Sequence, residues 1–179
     1  MSEFLPIVKY VSQYIELTDK EIDYFISLLS IVSVKKKQYI VQPGFTCNCR
    51  SFVVKGCMRG FLIDTKGNDH TVALAIENYW ISDINSYFTQ EPATLFVKAI
   101  EDSILIQLDF NSEENLLQTH PRFERLFRIL AKRAYVALQK RMLSNLINTA
   151  EERYDLFLRD YPLIPQRIPQ YAIASYLGI

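Results

Sequence analysis

Three cysteines and two histidines are the side chains of this sequence best suited to binding a metal or acting as nucleophiles. Cys47, Cys49, Cys57 and His70 could supply four ligands, but C-x-C is not the usual spacing of a structural zinc site. His70 falls at a predicted strand edge and His120 at a predicted helix start, so no second histidine lies nearby in sequence to complete a catalytic site. The sequence therefore predicts no metal site, no resident cofactor and no enzyme active site.

The sequence also lacks the features of an exported or membrane protein. Its N-terminus has no basic region followed by an apolar run, and no stretch of about 18 apolar residues occurs. The cysteines are odd in number, which favours reduced thiols over a disulfide framework. We therefore expect a cytoplasmic protein without a membrane partner.

Charge is distributed unevenly, although 20 basic and 20 acidic residues cancel. The middle third is acidic and the last third is basic. Seven of the basic residues fall within one predicted helix: Arg122, Arg125, Arg128, Lys132, Arg133, Lys140 and Arg141. This pattern permits binding to nucleic acid, but a solvated outer helix face would produce it as well.

One long helix is predicted from Thr119 to about Thr149, joining two halves of the chain. Thr119 can cap its first turn, with Pro121 tolerated beside it. Apolar or small residues then recur at steps of mostly three and four, at Phe123, Phe127, Leu130, Ala134, Ala137, Leu138, Met142, Leu146 and Ala150. Such a helix spans about 45 Å, which is longer than the core of one small domain needs. We expect a second copy of the chain to pack on Phe127, Leu130, Ala134, Leu138 and Met142; the alternative is a core helix within a monomer.

Short strands fill the region before that helix. An amphipathic helix is predicted within residues 1–15, and the capping-box pair Thr18 and Glu21 begins a second helix that extends to Leu29. Runs rich in β-branched and aromatic residues follow at 38–41, 51–54, 58–63, 71–76, 94–100 and 104–108, separated by turns at 43–44, 55–56, 66–69 and 91–92. This arrangement predicts an antiparallel barrel or double-sheet roll that can enclose a small ligand. A short helix is expected at 112–118.

The last thirty residues show the start of a helix-turn-helix. A helix is predicted to continue from Ala150 to Asp160 and to break at 161–165. In Gln170 to Ile179, small and apolar residues are spaced as in the first helix of that motif, with Ile173, Leu177 and Ile179 facing the core. Gly178 suits the positive φ that the following turn requires.

Taken together, these stretches resemble the Crp/Fnr family of bacterial transcription regulators over nearly the whole chain. The segments that carry the resemblance are 52–59, 64–71, 80–83, 99–103, 149–154, 167–171 and 174–179. The resemblance implies an α+β protein with a cyclic-nucleotide-binding-like β-roll of the double-stranded β-helix (jelly-roll) type at 1–118. A long dimerisation helix at 119–148 and the start of a helix-turn-helix DNA-binding domain at 149–179 would follow, ending before the recognition helix.

The resemblance also implies where ligands would bind. An effector would contact the cassette residues Ser82, Asp83, Asn85, Ala93 and Thr94. Members that bind cyclic AMP have a Gly-Glu pair and an Arg-Ser pair where this chain has Ser82-Asp83 and Ala93-Thr94. Without the arginine, the charge-assisted contact with a phosphate is lost, so we expect cyclic AMP not to bind in the usual mode.

DNA phosphates would be contacted by Arg167, Gln170 and Tyr171 at the start of the predicted helix-turn-helix, although these side chains could equally face solvent. The four-cysteine iron–sulfur arrangement of the oxygen-sensing branch is absent. The leading hypothesis is a homodimeric, DNA-binding transcription regulator. The alternatives are a sensing or protein-interaction module that does not read DNA, and a small-molecule enzyme.

Overall fold

Two four-stranded antiparallel sheets form the centre of the structure, a computed structural model that describes residues 2–179. The strands are β1 (Leu29–Val34), β2 (Tyr39–Val41), β3 (Cys49–Lys55), β4 (Met58–Ile63), β5 (Asp69–Ala75), β6 (Trp80–Ile81), β7 (Phe96–Ala99) and β8 (Ser103–Asp109). Their order is β1-β8-β3-β6 in one sheet and β2-β7-β4-β5 in the other. The predicted double-sheet roll and α+β class are thus confirmed.

Residues 2–179 also form seven α-helices and a 3₁₀ turn at Ser2–Phe4. The α-helices are α1 (Leu5–Val11), α2 (Asp19–Ser27), α3 (Ile84–Thr89), α4 (Phe110–Thr119), α5 (Arg122–Ile147), α6 (Ala150–Asp160) and α7 (Gln170–Leu177). None of the helices formed by residues 2–179 is long and apolar enough to cross a membrane.

The sheet that contains β3 and β8 is buried on both faces. In β3, Phe52 packs in a cluster with helices α1, α2 and α5, whereas the next residue, Val53, packs inside the roll. In β8, Ile106 and Leu105 divide in the same way. Because successive side chains of a strand point to opposite faces, strands covered on both sides contain nearly continuous apolar runs, as these do.

The first strand of the roll was not predicted. The second helix ends at Ser27, not Leu29, and Leu29 begins β1, which pairs antiparallel with β8 from Leu29–Leu108 to Val34–Ser103. The helix therefore ends earlier than the spacing of apolar residues indicates. Pairing with β8, some seventy residues later in the chain, decides the conformation from Leu29 onward. The capping box between Thr18 and Glu21 is confirmed.

The helix predicted from Thr119 to about Thr149 corresponds to α5, but neither end is where the sequence indicated. Thr119 lies in the last turn of α4, where its hydroxyl donates to the carbonyl of Asn115, and α5 begins at Arg122. At the other end, α5 stops at Ile147, and Thr149 caps α6 through a capping box with Glu152. With 26 residues, α5 is about 39 Å long. The predicted cap at Thr119 and the predicted continuity into residue 150 are both wrong. At the second position, the Thr-x-x-Glu pattern of Thr149 and Glu152 is itself a helix start.

Candidate functional site

The cassette predicted to hold an effector is closed by Asp83. This carboxylate is 2% exposed and caps α3 by accepting a hydrogen bond from the Ser86 N–H at 3.1 Å. Its second oxygen accepts from the backbone N–H groups of Thr94 and Leu95 at 2.9 and 3.0 Å. Asp83 therefore ties the start of α3 to the chain segment that follows it, and three donors already use its acceptor capacity.

The other predicted cassette residues do not form an open site around that carboxylate. Ser82 and Ala93 are buried, whereas Asn85 and Thr94 are exposed. The Ser82 hydroxyl oxygen is buried without a hydrogen-bond partner among residues 2–179. Neighbouring Ser86 accepts from the Cys47 N–H at 2.8 Å and donates to the Glu91 carbonyl at 2.5 Å, which fixes α3 from its other side.

Arg50 connects this cassette to the long helix, and sequence reasoning did not identify it. Its guanidinium lies 5.2 Å from the ring centroid of Tyr87 on α3 and 4.8 Å from that of Phe127 on α5. It also pairs with Glu113 at 3.2 Å, and Glu113 accepts from the Tyr87 hydroxyl at 3.0 Å. Burial raises the pKa values of both Glu113 and Tyr87. The sequence contains a signal for this pair: Arg50 lies on a largely apolar strand, and Glu113 lies on the buried face of a helix.

The face of α5 that lacks a partner differs from the predicted dimerisation stripe. Phe127 is buried in the chain's own core, and Leu130 packs against that core. Ala134, Leu138 and Met142 are exposed, and their role in a dimer stays a prediction. Large exposed apolar residues continue that face, so the exposed stripe consists of Tyr135, Leu138, Met142 and Leu146.

Helix α7 occupies the stretch in which the first helix of a helix-turn-helix was predicted. It ends at Gly178, whose φ of 68° is left-handed as predicted. Ile173 and Leu177 are buried with Phe157 of α6, but Ile179, expected in the core, is 55% exposed.

The three residues predicted to contact DNA have different environments. Gln170 is exposed, with no side-chain hydrogen bond to residues 2–179, and Tyr171 is about half exposed. Arg167 is engaged within the chain: its guanidinium donates to both carboxylate oxygens of Glu77, at 2.6 and 3.0 Å, and to Glu101. These bonds lower the pKa of Glu77 to about 2 and raise that of Arg167.

The roll also holds α7 through its edge strand β5. The Thr71 N–H donates to the Ser175 hydroxyl at 2.8 Å, which in turn donates to the Asp69 carbonyl at 3.3 Å. Fully buried Arg59 donates to the Asp69 carboxylate at 2.6 and 3.0 Å and lies 5.2 Å from the Tyr171 ring centroid. The arginine lowers the pKa of Asp69. Otherwise unpaired groups of an edge strand are thus satisfied by Ser175 of α7.

The candidate metal ligands do not come together. Cys47 lies in the roll interior, whereas Cys57 packs in the cluster beneath α6 and α7. Burial raises the pKa of Cys57 to about 12, so this thiol is protonated at neutral pH. Residues 2–179 contain no group of three or more side chains able to hold a metal ion.

The roll, the cassette helix and the long helix together define a cyclic-nucleotide-binding-like fold. Solved structures with this fold include regulators of the Crp/Fnr family, which confirms the resemblance seen in the sequence. FixK2 from Bradyrhizobium japonicum is 18% identical over 84% of this chain and 78% of FixK2, with a TM-score of 0.71.

Two further solved structures of regulators are similar to this chain over most of its length. The c-di-GMP-responsive global regulator CLP from Xanthomonas campestris is 10% identical over 90% of this chain and 85% of its own, with a TM-score of 0.70. Catabolite Activator Protein from Thermus thermophilus is 22% identical over 94% of this chain and 80% of its own, with a TM-score of 0.60. No protein-family profile and no curated protein matches the sequence. At these identities the likeness establishes the fold.

Proposed function

We propose that this chain is the sensing and dimerising part, with the start of the DNA-reading head, of a homodimeric transcription regulator. The observation that carries the proposal is the docking of α7, with its left-handed Gly178, on a roll whose long helix exposes an unpartnered apolar stripe. Residues 1–118 form the sensing domain, 119–148 the dimerisation segment and 149–179 the beginning of the reading head. In this proposal the chain is not an enzyme, and it acts in the cytoplasm.

Dimerisation in this proposal occurs through the stripe of Tyr135, Leu138, Met142 and Leu146. Their exposed fractions are 66%, 56%, 55% and 75%, and they recur at steps of three and four along one face. A two-fold axis along this face would bring equivalent residues of two copies together. Ala134 lies beside the stripe, whereas Phe127 and Leu130 support it from the core.

DNA contact in this proposal begins at the N-terminal end of α7. Gln170 and Tyr171 are accessible to phosphates, whereas Arg167 becomes available only after its ion pairs with Glu77 and Glu101 break. The first helix of such a motif mainly contacts the backbone, and the second reads base edges. The 179-residue chain should therefore show only salt-sensitive, sequence-independent DNA binding.

Selection from a random DNA pool tests this proposal. The 179-residue chain should enrich no motif, whereas a chain extended by a second helix of the motif should enrich a two-fold-symmetric site with half-sites about 34 Å apart. If the extended chain enriches no such site, a sensing module without DNA readout becomes the better description. If the 179-residue chain enriches one, the proposed boundary of the reading head is wrong.

A small effector, if one binds the cassette, would need Asp83 to release the Thr94 and Leu95 N–H groups. The closed cassette agrees with the loss of the arginine at position 93, because both remove means of holding a cyclic-nucleotide phosphate. We therefore propose an effector other than cyclic AMP in its usual mode.

A further inference from the structure

A groove between α5 and α6 has the size of a ligand site. Its volume is about 740 Å³, within the range of about 300–1,000 Å³ that small-molecule sites occupy. We propose that this groove, here called the α5–α6 groove, binds an amphipathic organic anion such as a medium- or long-chain fatty-acid carboxylate. The proposal concerns a site away from the cassette and does not depend on DNA reading.

The floor of the groove is apolar. It is formed by side chains of both helices and of α7: Val136, Leu143, Ile147, Leu156, Phe157 and Leu177. Leu143 and Ile147 are 47% and 78% exposed, so apolar area there remains open to solvent. An alkyl chain laid on this floor would remove that area from water, which is favourable by about 25 cal/mol per Å².

The walls of the groove are strongly basic. Six cationic side chains line it, namely Lys132, Arg133, Lys140, Arg141, Arg153 and Arg159, against one carboxylate, Asp160. Among residues 2–179, only Arg159 of these six pairs with a carboxylate, which is Asp160 itself. The groove therefore holds a local excess of positive charge, which favours an anionic headgroup over a neutral one.

Several of the arginines are held in place by neutral groups. Arg141 donates to the Val72 carbonyl at 2.9 Å and lies 4.4 Å from the Tyr176 ring centroid. Arg153 donates to the carbonyls of Asn148 and Gly178, and its Nε is buried without a partner among the described residues. Hydrogen bonds to carbonyls leave the guanidinium charge uncompensated, so these arginines contribute to the field in the groove while remaining fixed.

A second copy of the chain is not the occupant, because the dimerisation stripe points elsewhere. The large apolar groove residues of α5 each follow a stripe residue by one position: Val136 follows Tyr135, Leu143 follows Met142, and Ile147 follows Leu146. One position is a rotation of about 100° around a helix. A partner helix packed on the stripe therefore leaves the groove face open to a small ligand.

Because of where the groove lies, a bound ligand would affect how the helices around it are arranged. It spans Asn148, where α5 ends and α6 begins, and it reaches Leu177 on α7. A bound chain would contact the dimerisation helix and the start of the reading head at once. The ligand would thereby fix the angle between them.

Titration calorimetry of the delipidated 179-residue chain with octanoate, decanoate and dodecanoate tests the proposal. Binding should saturate at one anion per chain, and affinity should rise about fourfold per added methylene. 1-Decanol should bind at least about fivefold more weakly than decanoate, because it lacks the charge.

Paired variants locate the site. Lys132→Gln with Lys140→Gln should weaken decanoate about fivefold, whereas Lys9→Gln with Lys20→Gln, at exposed positions elsewhere, should change nothing. Leu143→Gln should reduce the gain in affinity per added methylene of the ligand. Circular dichroism should be unchanged for all of them, since every altered side chain is exposed.

Three results would overturn the proposal. These are the absence of saturable binding, equal affinity for decanoate and 1-decanol, and binding that is insensitive to the Lys132 and Lys140 changes. Binding that appears only after the dimer is broken by Leu138→Glu would show that a second copy fills the groove, and would also overturn it. None of these results bears on the proposed role as a transcription regulator, which the DNA-selection experiment tests separately.

Discussion

Replacing Asp83 by asparagine separates two roles of this carboxylate, internal tether and effector ligand. In the structure one oxygen caps α3 and the other accepts from the Thr94 and Leu95 N–H groups. An asparagine retains one acceptor oxygen but places an NH₂ group where two donors must be accommodated. Each buried charge-assisted bond is worth about 1.5–3 kcal/mol, so losing two should lower the free energy of unfolding by about 3 kcal/mol or more.

The chain contains a matched control in Asp109. It caps α4 in the same way, accepting from the Ser112 N–H at 3.0 Å, but tethers no second segment. Asparagine caps helices as well as aspartate does, so Asp109→Asn should change the free energy of unfolding by less than about 0.5 kcal/mol.

Thermal unfolding followed by circular dichroism measures both variants. For a chain of this size 1 kcal/mol corresponds to about 2–4 °C, so Asp83→Asn should lower Tm by about 6–12 °C and Asp109→Asn by about 2 °C at most. If Asp83→Asn unfolds like the wild type, or is more stable, the carboxylate is not a tether, and the ligand role in an open cassette becomes the better explanation.

Three further predictions follow from the dimer stripe, the cassette and the ion pairs of the reading head. Leu138→Glu should yield monomers in sedimentation, whereas Leu143→Glu, about 140° around the helix from Leu138, should leave the dimer intact; dimeric Leu138→Glu would place the interface elsewhere. Calorimetry should detect no micromolar binding of cyclic AMP to the wild type, because Ala93 cannot pair with a phosphate; micromolar affinity would contradict this. Since folding lowers the pKa of Glu77 from its ordinary 4.5 to about 2, stability from its bonds should be complete above pH 4.5 and disappear as the pH falls through 2; Glu77→Gln should lack this part of the pH profile in acid unfolding.

Local signals in the sequence predicted those elements whose conformation is decided by nearby residues. The strand at Met58–Ile63 and the helix at Gln170–Leu177 were predicted with these bounds or nearly so, and the capping box at Thr18 was found. Thr149 carries the same Thr-x-x-Glu signal as Thr18, although the apolar spacing that begins at Phe123 continues past it. A start signal inside a long helical pattern thus marks a break, because the cap satisfies N–H groups that would otherwise bond to the preceding turn.

The buried network at Arg59 could not be predicted, because it depends on the register of a hairpin. A β-bulge shifts the pairing between β4 and β5, so that Gly60 faces Ala73 but Phe61 faces Thr71. Without the bulge, simple alternation would place Thr71 on the opposite face from the one it occupies. Arg59 donates to the Thr71 hydroxyl at 2.7 and 2.8 Å only because of that shift.

The residues expected to bind ligands illustrate a related limit. Asp83 and Arg167 have the side chains that effector and DNA contacts need, but both are paired within the chain, and the partners of Arg167 lie 66 and 90 residues away. A sequence shows that a charge is present, whereas the fold determines whether it is already neutralised. For Arg167 to contribute to DNA affinity, a phosphate must replace two carboxylates that already satisfy its guanidinium. Its contribution to binding is therefore the difference between these two sets of contacts, which is smaller than the value of the phosphate contacts alone.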